Sequence, residues 1–196
     1  MNELLEIERR FLVDARGVKP WRHNARVLHI EQHYLPYEAF TTIGQRLHGF
    51  NRPMTTMTEK QAAVWASTDW AVRLRKMNQT CILTCKSRQR HDTSLELEWP
   101  LSEEDYEAML LHGPFPSVVK TRYEWTGVDG STWEVDEFEG ALAGVVLAEI
   151  ELSHSEQEVM LPPWVGHEIT GLESWSNKSL STMLDQEFTA QLPAKD

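Results

Sequence analysis

The segment LEIERRFLV, residues 5–13, places a charged residue at every second position, namely Glu6, Glu8 and Arg10, with mainly apolar residues between them. Successive side chains of a β-strand point to opposite faces, so this period predicts a strand with one ionic face. Six further segments repeat the pattern: AVRLRK (71–76), CILTCKS (81–87), SLELEW (94–99), VVKTRYEW (118–125), TWEVDEF (132–138) and LAEIEL (147–152). The chain is therefore predicted to be mainly β.

Two short turns indicate how these strands pair. Residues 128–130 suit a three-residue hairpin loop in which Gly130 takes the left-handed conformation. Asn78 and Gln79 suit a two-residue turn between the segments that flank them. The resulting registers place two pairs of residues opposite each other: Arg122 with Asp136, and Arg73 with Thr84. Both predicted hairpins collect their charges on one face.

Helices are fewer than strands. Capping patterns at Thr58 and Ser102 predict two short helices, and apolar spacing predicts a last helix at about 174–188. The stretch 38–70 is interpreted as an insertion between strands that acts as a lid or covers one mouth of the fold. No linker or repeat divides the chain, so residues 1–196 are interpreted as a single domain.

The composition excludes several classes of protein. The chain has 19 Lys and Arg against 30 Asp and Glu, and this field repels nucleic acids and anionic membranes, so neither is expected as a partner. Cys81 and Cys85, four residues apart in a predicted strand, are too distant for a disulfide and are expected to be free thiols. The start of the chain, MNELLEIERR, lacks the apolar run of a signal peptide or membrane span. A cytoplasmic protein is therefore expected.

The charges on the predicted strands are sorted by sign. Acidic residues come in pairs two apart, Glu6 with Glu8, Glu96 with Glu98, Glu134 with Asp136 and Glu149 with Glu151, and basic pairs are Arg73 with Arg75 and Lys120 with Arg122, beside single Arg10 and Lys86. Like charges ~7 Å apart on one strand face repel each other, so each group calls for a partner of opposite charge. A divalent cation such as Mg²⁺ or Mn²⁺ suits the carboxylates, and an oligophosphate suits the cations.

Two topologies accommodate this pattern. In a sandwich, the charged faces point to water, which is the usual arrangement for any single strand. In a closed barrel, the charges line the bore and the apolar residues face outward beneath helices. Sorting by sign over seven strands favours the barrel, because a solvated face has no reason to be sorted.

The order of motifs also resembles a known family. Glu-Ile-Glu-Arg-Arg at 6–10 is similar to the ExExK signature of the CYTH domain, or triphosphate tunnel metalloenzyme, superfamily. Matching motifs follow along nearly the whole chain: QHYL at 32–35, RLR at 73–75, LTCKS at 83–87, ELE at 96–98, KTRY at 120–123, WEVDEFEG at 133–140, LAEIEL at 147–152 and SWSNKSL at 174–180. Three positions depart from the family pattern: Arg10 replaces a lysine, His33 replaces a glycine, and Ser94 stands where members often carry arginine.

The resemblance implies an eight-stranded antiparallel tunnel that binds a divalent metal, Mg²⁺ or Mn²⁺, and a triphosphate. Carried over residue by residue, the metal ligands are Glu6, Glu8, Glu149 and Glu151, the phosphate-binding residues are Arg10, Arg73, Arg75, Lys86, Lys120 and Arg122, and Glu98 and Asp136 orient a second metal or the attacking water. The activity implied first is hydrolysis of inorganic tripolyphosphate to pyrophosphate and phosphate, as in short bacterial inorganic triphosphatases, with a possible homodimer. The alternatives are a thiamine triphosphatase, a class IV-type adenylate cyclase, or a triphosphate- or polyphosphate-binding module without turnover.

Overall fold

The computed structural model describes residues 4–183, which are mainly β. The strands are β1 (Leu5–Val13), β2 (Arg26–Leu35), β3 (Phe40–Ile43), β4 (Arg46–Gly49), β5 (Arg52–Thr56), β6 (Ala71–Met77), β7 (Thr80–Arg88), β8 (Thr93–Leu101), β9 (Ser117–Thr126), β10 (Thr132–Phe138), β11 (Val146–Glu151) and β12 (Val165–Glu168). The helices are α1 (Glu59–Trp65) and α2 (Glu103–Leu110), and residues 177–183 are also helical. All seven strands predicted from alternation are present.

Eight of the strands close into an antiparallel barrel. Their order is β11-β10-β9-β2-β6-β7-β8-β1, and β1 pairs again with β11. Strand β12 adds to the end of β1, while β3, β4 and β5 form a separate small sheet. A closed sheet has no unpaired edge, and its strands present one face to the bore and one to the outside. The barrel expectation is confirmed, and the sandwich is wrong.

The predicted turns set the register of two barrel hairpins. Gly130 has φ +82° and joins β9 to β10 so that Arg122 lies opposite Asp136. Asn78 has φ +52° and joins β6 to β7, so that Arg73 lies opposite Thr84. Both predicted registers are therefore observed.

The apolar residues of β6, β7 and β8 point away from the bore. Leu74, Leu83 and Leu97 are at most 1% exposed and belong to one cluster with Trp65 of α1 and Met109 of α2. Thr58 caps α1 with a reciprocal pair of hydrogen bonds to Gln61, and Ser102 caps α2 by accepting from the backbone of Asp105. The helices therefore cover the outer wall of the barrel, and burial of apolar side chains between helix and wall stabilises this packing.

The insertion at 38–70 packs on this same outer wall. Its buried residues Phe40, Leu47 and Met57 join the cluster beneath α1 and α2. Its end also lines the internal cavity described below, through Asp69 and Trp70. The segment therefore acts as a cover for the barrel wall in this structure.

The helical segment near the end of the described chain differs from the prediction. Residues 173–175 form a single 3-10 turn, Ser176 accepts a hydrogen bond from the backbone of Ser179, and the helix begins at 177 and not at 174. Leu180 packs against Phe138 and Leu147, so the helix contacts residues on the inward face of the barrel. The predicted extension to 188 lies outside the described residues.

None of the helices within residues 4–183 is long and apolar enough to cross a membrane. Cys81 and Cys85 are buried free thiols on the outward face of β7.

Candidate active site

The strand register brings the predicted site residues to the inward face of the barrel. Residues directly opposite each other in an antiparallel pair point to the same face. The opposed pairs are Glu6 with Ser94, Glu8 with Glu151, Arg10 with Glu149, Gln32 with Arg75, Arg73 with Thr84, Thr84 with Glu98, Lys86 with Glu96, Lys120 with Phe138, and Arg122 with Asp136. The residues between them pack into the outer apolar clusters. The ionic bore is therefore a consequence of the two-residue period.

A cavity of about 340 Å³ lies within this bore. Of the predicted site residues, it is lined by Glu8, Arg10, Arg73 and Lys86. Tyr34 of β2 also lines it, and further lining residues come from the β7–β8 connection and from 170–178, including Arg88, Asp92 and Lys178. Small-molecule sites have volumes of roughly 300–1,000 Å³, so this cavity has the size of a ligand site.

Lys86 is surrounded by carboxylates. Its Nζ contacts Glu6 and lies 3.3 Å from Glu8 and 3.7 Å from Glu96. Burial by itself lowers the pKa of Lys86, but the charges of these three carboxylates outweigh burial and raise the pKa. Lys86 is therefore a fixed positive charge on the cavity wall.

The acidic residues around Lys86 carry more negative charge than one ammonium group compensates. Burial and the charge of Glu6 raise the pKa of Glu96 to about 8. Burial and the charges of Glu6 and Glu8 raise the pKa of Glu151 as well. At neutral pH this part of the bore therefore holds a proton or a further cation.

A second group of contacts orders the arginines of β6. Glu98 accepts hydrogen bonds from Arg75 at 2.8 Å and from Thr84 at 2.7 Å, and lies 3.6 Å from Arg73. Burial raises the pKa of Glu98, but Arg75 and Thr84 outweigh it and lower the pKa overall. Burial and the charge of Arg73 lower the pKa of Arg75 to about 10.

Asp136 lies in the most buried ion cluster. It is 0% exposed and accepts hydrogen bonds from Nε and Nη2 of Arg122, both at 2.7 Å, and from Lys120. Both of its carboxylate oxygens are therefore engaged by cations. Burial lowers the pKa of Lys120 to about 8, despite the nearby charge of Asp136.

The four predicted metal ligands lie in two different environments. Glu6 and Glu8 are turned to Lys86, and Glu151 faces Glu8 across the β1–β11 pair. Glu149 contacts Arg10 at 2.5 Å and Arg122 at 3.2 Å, and these cations hold its pKa far below the usual value although burial raises it. Among residues 4–183, no three acidic, His or Cys side chains converge in a way that could hold a metal ion.

The surplus negative charge around Glu6 suits a hard divalent cation, because such ions prefer carboxylate oxygens. The chemistry of Glu6, Glu8 and Glu151 therefore fits such a cation, although Lys86 contacts Glu6 and Glu8 in the arrangement observed. In the arrangement observed, Glu149 binds arginine side chains, those of Arg10 and Arg122.

Several buried donors in the bore remain available. Within residues 4–183, Nε of Arg10, Arg73 and Arg75 has no hydrogen-bond partner. A buried donor without an acceptor is costly, by about 1–3 kcal/mol, and more for charged groups. An anion with many oxygens, bound in the bore, would supply hydrogen-bond acceptors for these three donors.

Sequence reasoning missed some of the residues that form the site. Glu96 and Glu134 belonged to acidic pairs but received no role, and Tyr34 appeared only as part of the QHYL motif at 32–35. Alternation of charged and apolar residues was the sequence pattern that placed Glu96 and Glu134 on the inward face. No local sequence pattern indicates that Arg88 and Lys178 reach the cavity. Their placement depends on how the β7–β8 connection and the segment 170–178 meet.

Comparison with known proteins identifies a matching family and several similar proteins. Residues 4–182 match the family described as the CYTH domain. An inorganic triphosphatase of Acetivibrio thermocellus is 34% identical over 122 residues, which cover 62% of this chain and 78% of that protein. An inorganic triphosphatase of Nitrosomonas europaea is 31% identical over 122 residues, covering 56% of this chain and 74% of that protein. A crystal structure of an inorganic triphosphatase aligns with a TM-score of 0.54 and 26% identity, over 90% of this chain and 93% of that one.

Proposed function

Because the chain belongs to the CYTH domain family, we propose that it is a triphosphatase that hydrolyses inorganic tripolyphosphate to pyrophosphate and phosphate. Two relatives that are 31–34% identical to it are inorganic triphosphatases, and both are covered over about three quarters of their length. The observation that carries the proposal is the cavity inside a closed barrel, on whose wall Arg10, Arg73 and Lys86 meet.

The three cations on the cavity wall supply different kinds of contact. Arg10 and Arg73 present planar guanidinium groups, which can donate two hydrogen bonds to one phosphate. Lys86 supplies a compact charge that can contact either of two neighbouring phosphates. Catalysis of phosphoryl transfer depends mainly on positioning and on neutralising charge, and these three cations provide both.

The more deeply buried residues have a supporting role in this proposal. Asp136 holds Lys120 and Arg122 in place, and both of its carboxylate oxygens accept hydrogen bonds from these cations in the arrangement observed. Glu98 holds Arg75 in the same way. We therefore assign both acids to positioning the cations, in place of the orienting of water or metal implied by the resemblance.

A divalent metal, Mg²⁺ or Mn²⁺, belongs to the proposal as the partner of Glu6, Glu8 and Glu151. When bound, such an ion neutralises phosphate charge and polarises a phosphoryl oxygen. The chain itself would contribute the carboxylates, of which Glu6 and Glu8 contact Lys86 in this structure.

The test is phosphate release from a panel of substrates by the purified chain. Tripolyphosphate, ATP and thiamine triphosphate are each incubated with Mg²⁺ or Mn²⁺. We expect the largest kcat/KM for tripolyphosphate. Faster release from ATP or thiamine triphosphate would contradict the proposed substrate, and tight binding without release would indicate a binding module.

A further inference from the structure

The small sheet of β3, β4 and β5 lies beside α2 on the outside of the barrel. The two elements are joined at the β4–β5 turn, where Arg52 contacts Asp105 at 2.9 Å. Their buried side, with Leu47, packs on the barrel wall. We call the opposite, exposed side of residues 40–56 and 103–112 the sheet–helix face.

The sheet–helix face exposes large apolar side chains. Ile43 of the sheet is 70% exposed, and Leu111 at the end of α2 is 86% exposed. Next to Leu111, the ring of His112 stacks on that of Phe50, with centroids 4.2 Å apart. Phe50 has φ +50°, a conformation that is rare for a residue with a large side chain. Apolar side chains gathered on one face of a protein are typical of an interaction surface.

The same face carries charges that have no partner within the described chain. Arg46 is exposed on the sheet, and Glu104 and Glu107 are exposed on α2. Within residues 4–183, none of these three side chains forms an ion pair, whereas Glu103 and Asp105 of α2 each have a basic partner. The face therefore offers free charges of both signs.

The two signs are separated along the face. Residues 39–58 contain two arginines and no acidic residue, whereas α2 contains four acidic residues and no basic one. Arg46 lies at the β3–β4 turn, and the β4–β5 turn at the other end of the sheet contacts α2. A two-fold axis through the middle of this face places the basic end of each copy on the acidic end of the other. A second copy thus supplies the complementary charges twice.

We propose that the sheet–helix face is the contact surface of a two-fold homodimer of this chain. In this dimer Arg46 of each copy pairs with Glu104 or Glu107 of the other copy, and Leu111 is buried between the copies. The inference is independent of the proposed hydrolysis, because these residues lie outside the cavity in the bore.

Sedimentation equilibrium of the purified chain tests the apolar part of the contact. The wild-type protein should be a dimer in reversible equilibrium with its monomer. Leu111→Asp should be monomeric, because a carboxylate would be buried among apolar side chains. Val128→Asp is the matched control, since Val128 is 89% exposed on the β9–β10 hairpin, and it should remain dimeric.

Charge reversal tests the ionic part of the contact. Arg46→Glu should raise the dissociation constant of the dimer roughly 10-fold or more, because like charges then meet at both ends of the contact. Arg90→Glu makes the same change of charge at an exposed arginine of the β7–β8 connection and should leave the dissociation constant unchanged. Thermal unfolding of all variants should match wild type, because the substituted side chains are exposed.

A mixture of two variants tests the two-fold geometry. R46E has acidic residues at both ends of the face, and the double variant Glu104→Arg with Glu107→Arg has basic residues at both ends. Each should associate weakly with itself. Mixed one to one, the two proteins should form a heterodimer, because every contact then joins an acidic end to a basic end.

The outcomes separate this inference from the proposed function. A wild-type protein that stays monomeric, a dimer that L111D and R46E leave intact, or variants that do not associate when mixed would overturn the proposed interface. Hydrolysis of tripolyphosphate would be unaffected by any of these results. A protein that dimerises through this face and does not hydrolyse tripolyphosphate would overturn the proposed function alone.

Discussion

Replacement of Asp136 by asparagine tests the idea that a buried acid holds two cations in the bore. The substitution keeps the size of the side chain but removes its charge. Asp136 is 0% exposed, Lys120 1% and Arg122 7%, so the cations cannot recover their hydration by small movements. Loss of one partner from a buried ion pair costs about 3–5 kcal/mol.

The expected loss can be read as a shift in melting temperature. In a domain of this size, 1 kcal/mol corresponds to about 2–4 °C, so D136N should unfold about 6–20 °C below wild type at pH 7. Asp14→Asn is the control, since Asp14 pairs with Arg16 at the exposed surface, and its Tm should match wild type.

The pH dependence of the stability that D136N loses relative to wild type provides a second test. The pKa of Lys120 in the folded protein, about 8, is below its ordinary value of 10.5. Above pH 8 the lysine is neutral in the wild-type protein and no longer gains from Asp136, so the deficit should shrink between pH 7 and pH 9.5. A D136N variant with wild-type stability and wild-type KM would refute the reasoning.

Three further predictions concern other parts of the molecule. Lys86→Ala removes a charged phosphate contact of about 1.5–3 kcal/mol and should raise the KM for tripolyphosphate about 10–150-fold; Lys60→Ala, on the exposed side of α1, should leave the steady-state kinetics unchanged. The free energy of unfolding of the metal-free protein should contain a contribution from Glu96 that falls as pH rises from about 4.5 to about 8, because the folded state binds the extra proton in that window. Glu96→Gln should flatten this slope in denaturant titrations, and an unchanged slope would contradict the raised pKa. Leu83→Ala, in the outer cluster, should cost about 2–5 kcal/mol in chemical denaturation while leaving KM close to wild type, and a large rise in KM would show that the wall and the bore are not independent.

The barrel could be predicted from sequence because its ionic face is inside. In β1, β8 and β10 most inward residues are charged and most outward residues are apolar, so alternation and sign together identified the strands. Strand β2 was missed because its inward residues Leu28, Ile30 and Gln32 carry no charge. The small β3–β5 sheet was interpreted only as an insertion, because its strands are four or five residues long.

The composition of the site was predictable, but its internal pairing was not. Alternation shows that Glu149 and Glu151 share a face, yet Glu149 meets Arg10 and Arg122 while Glu151 lies near Glu6 and Glu8. That division depends on strands far apart in the chain, and no local pattern contains it. Homodimer formation stays a prediction.

The most direct measurement is a crystal structure of the protein soaked or co-crystallised with tripolyphosphate. The account predicts phosphate oxygens inside the barrel, within hydrogen-bond distance of Arg10, Arg73 and Lys86. Tripolyphosphate bound only on the outer surface, with the bore still closed by its internal ion pairs, would contradict it.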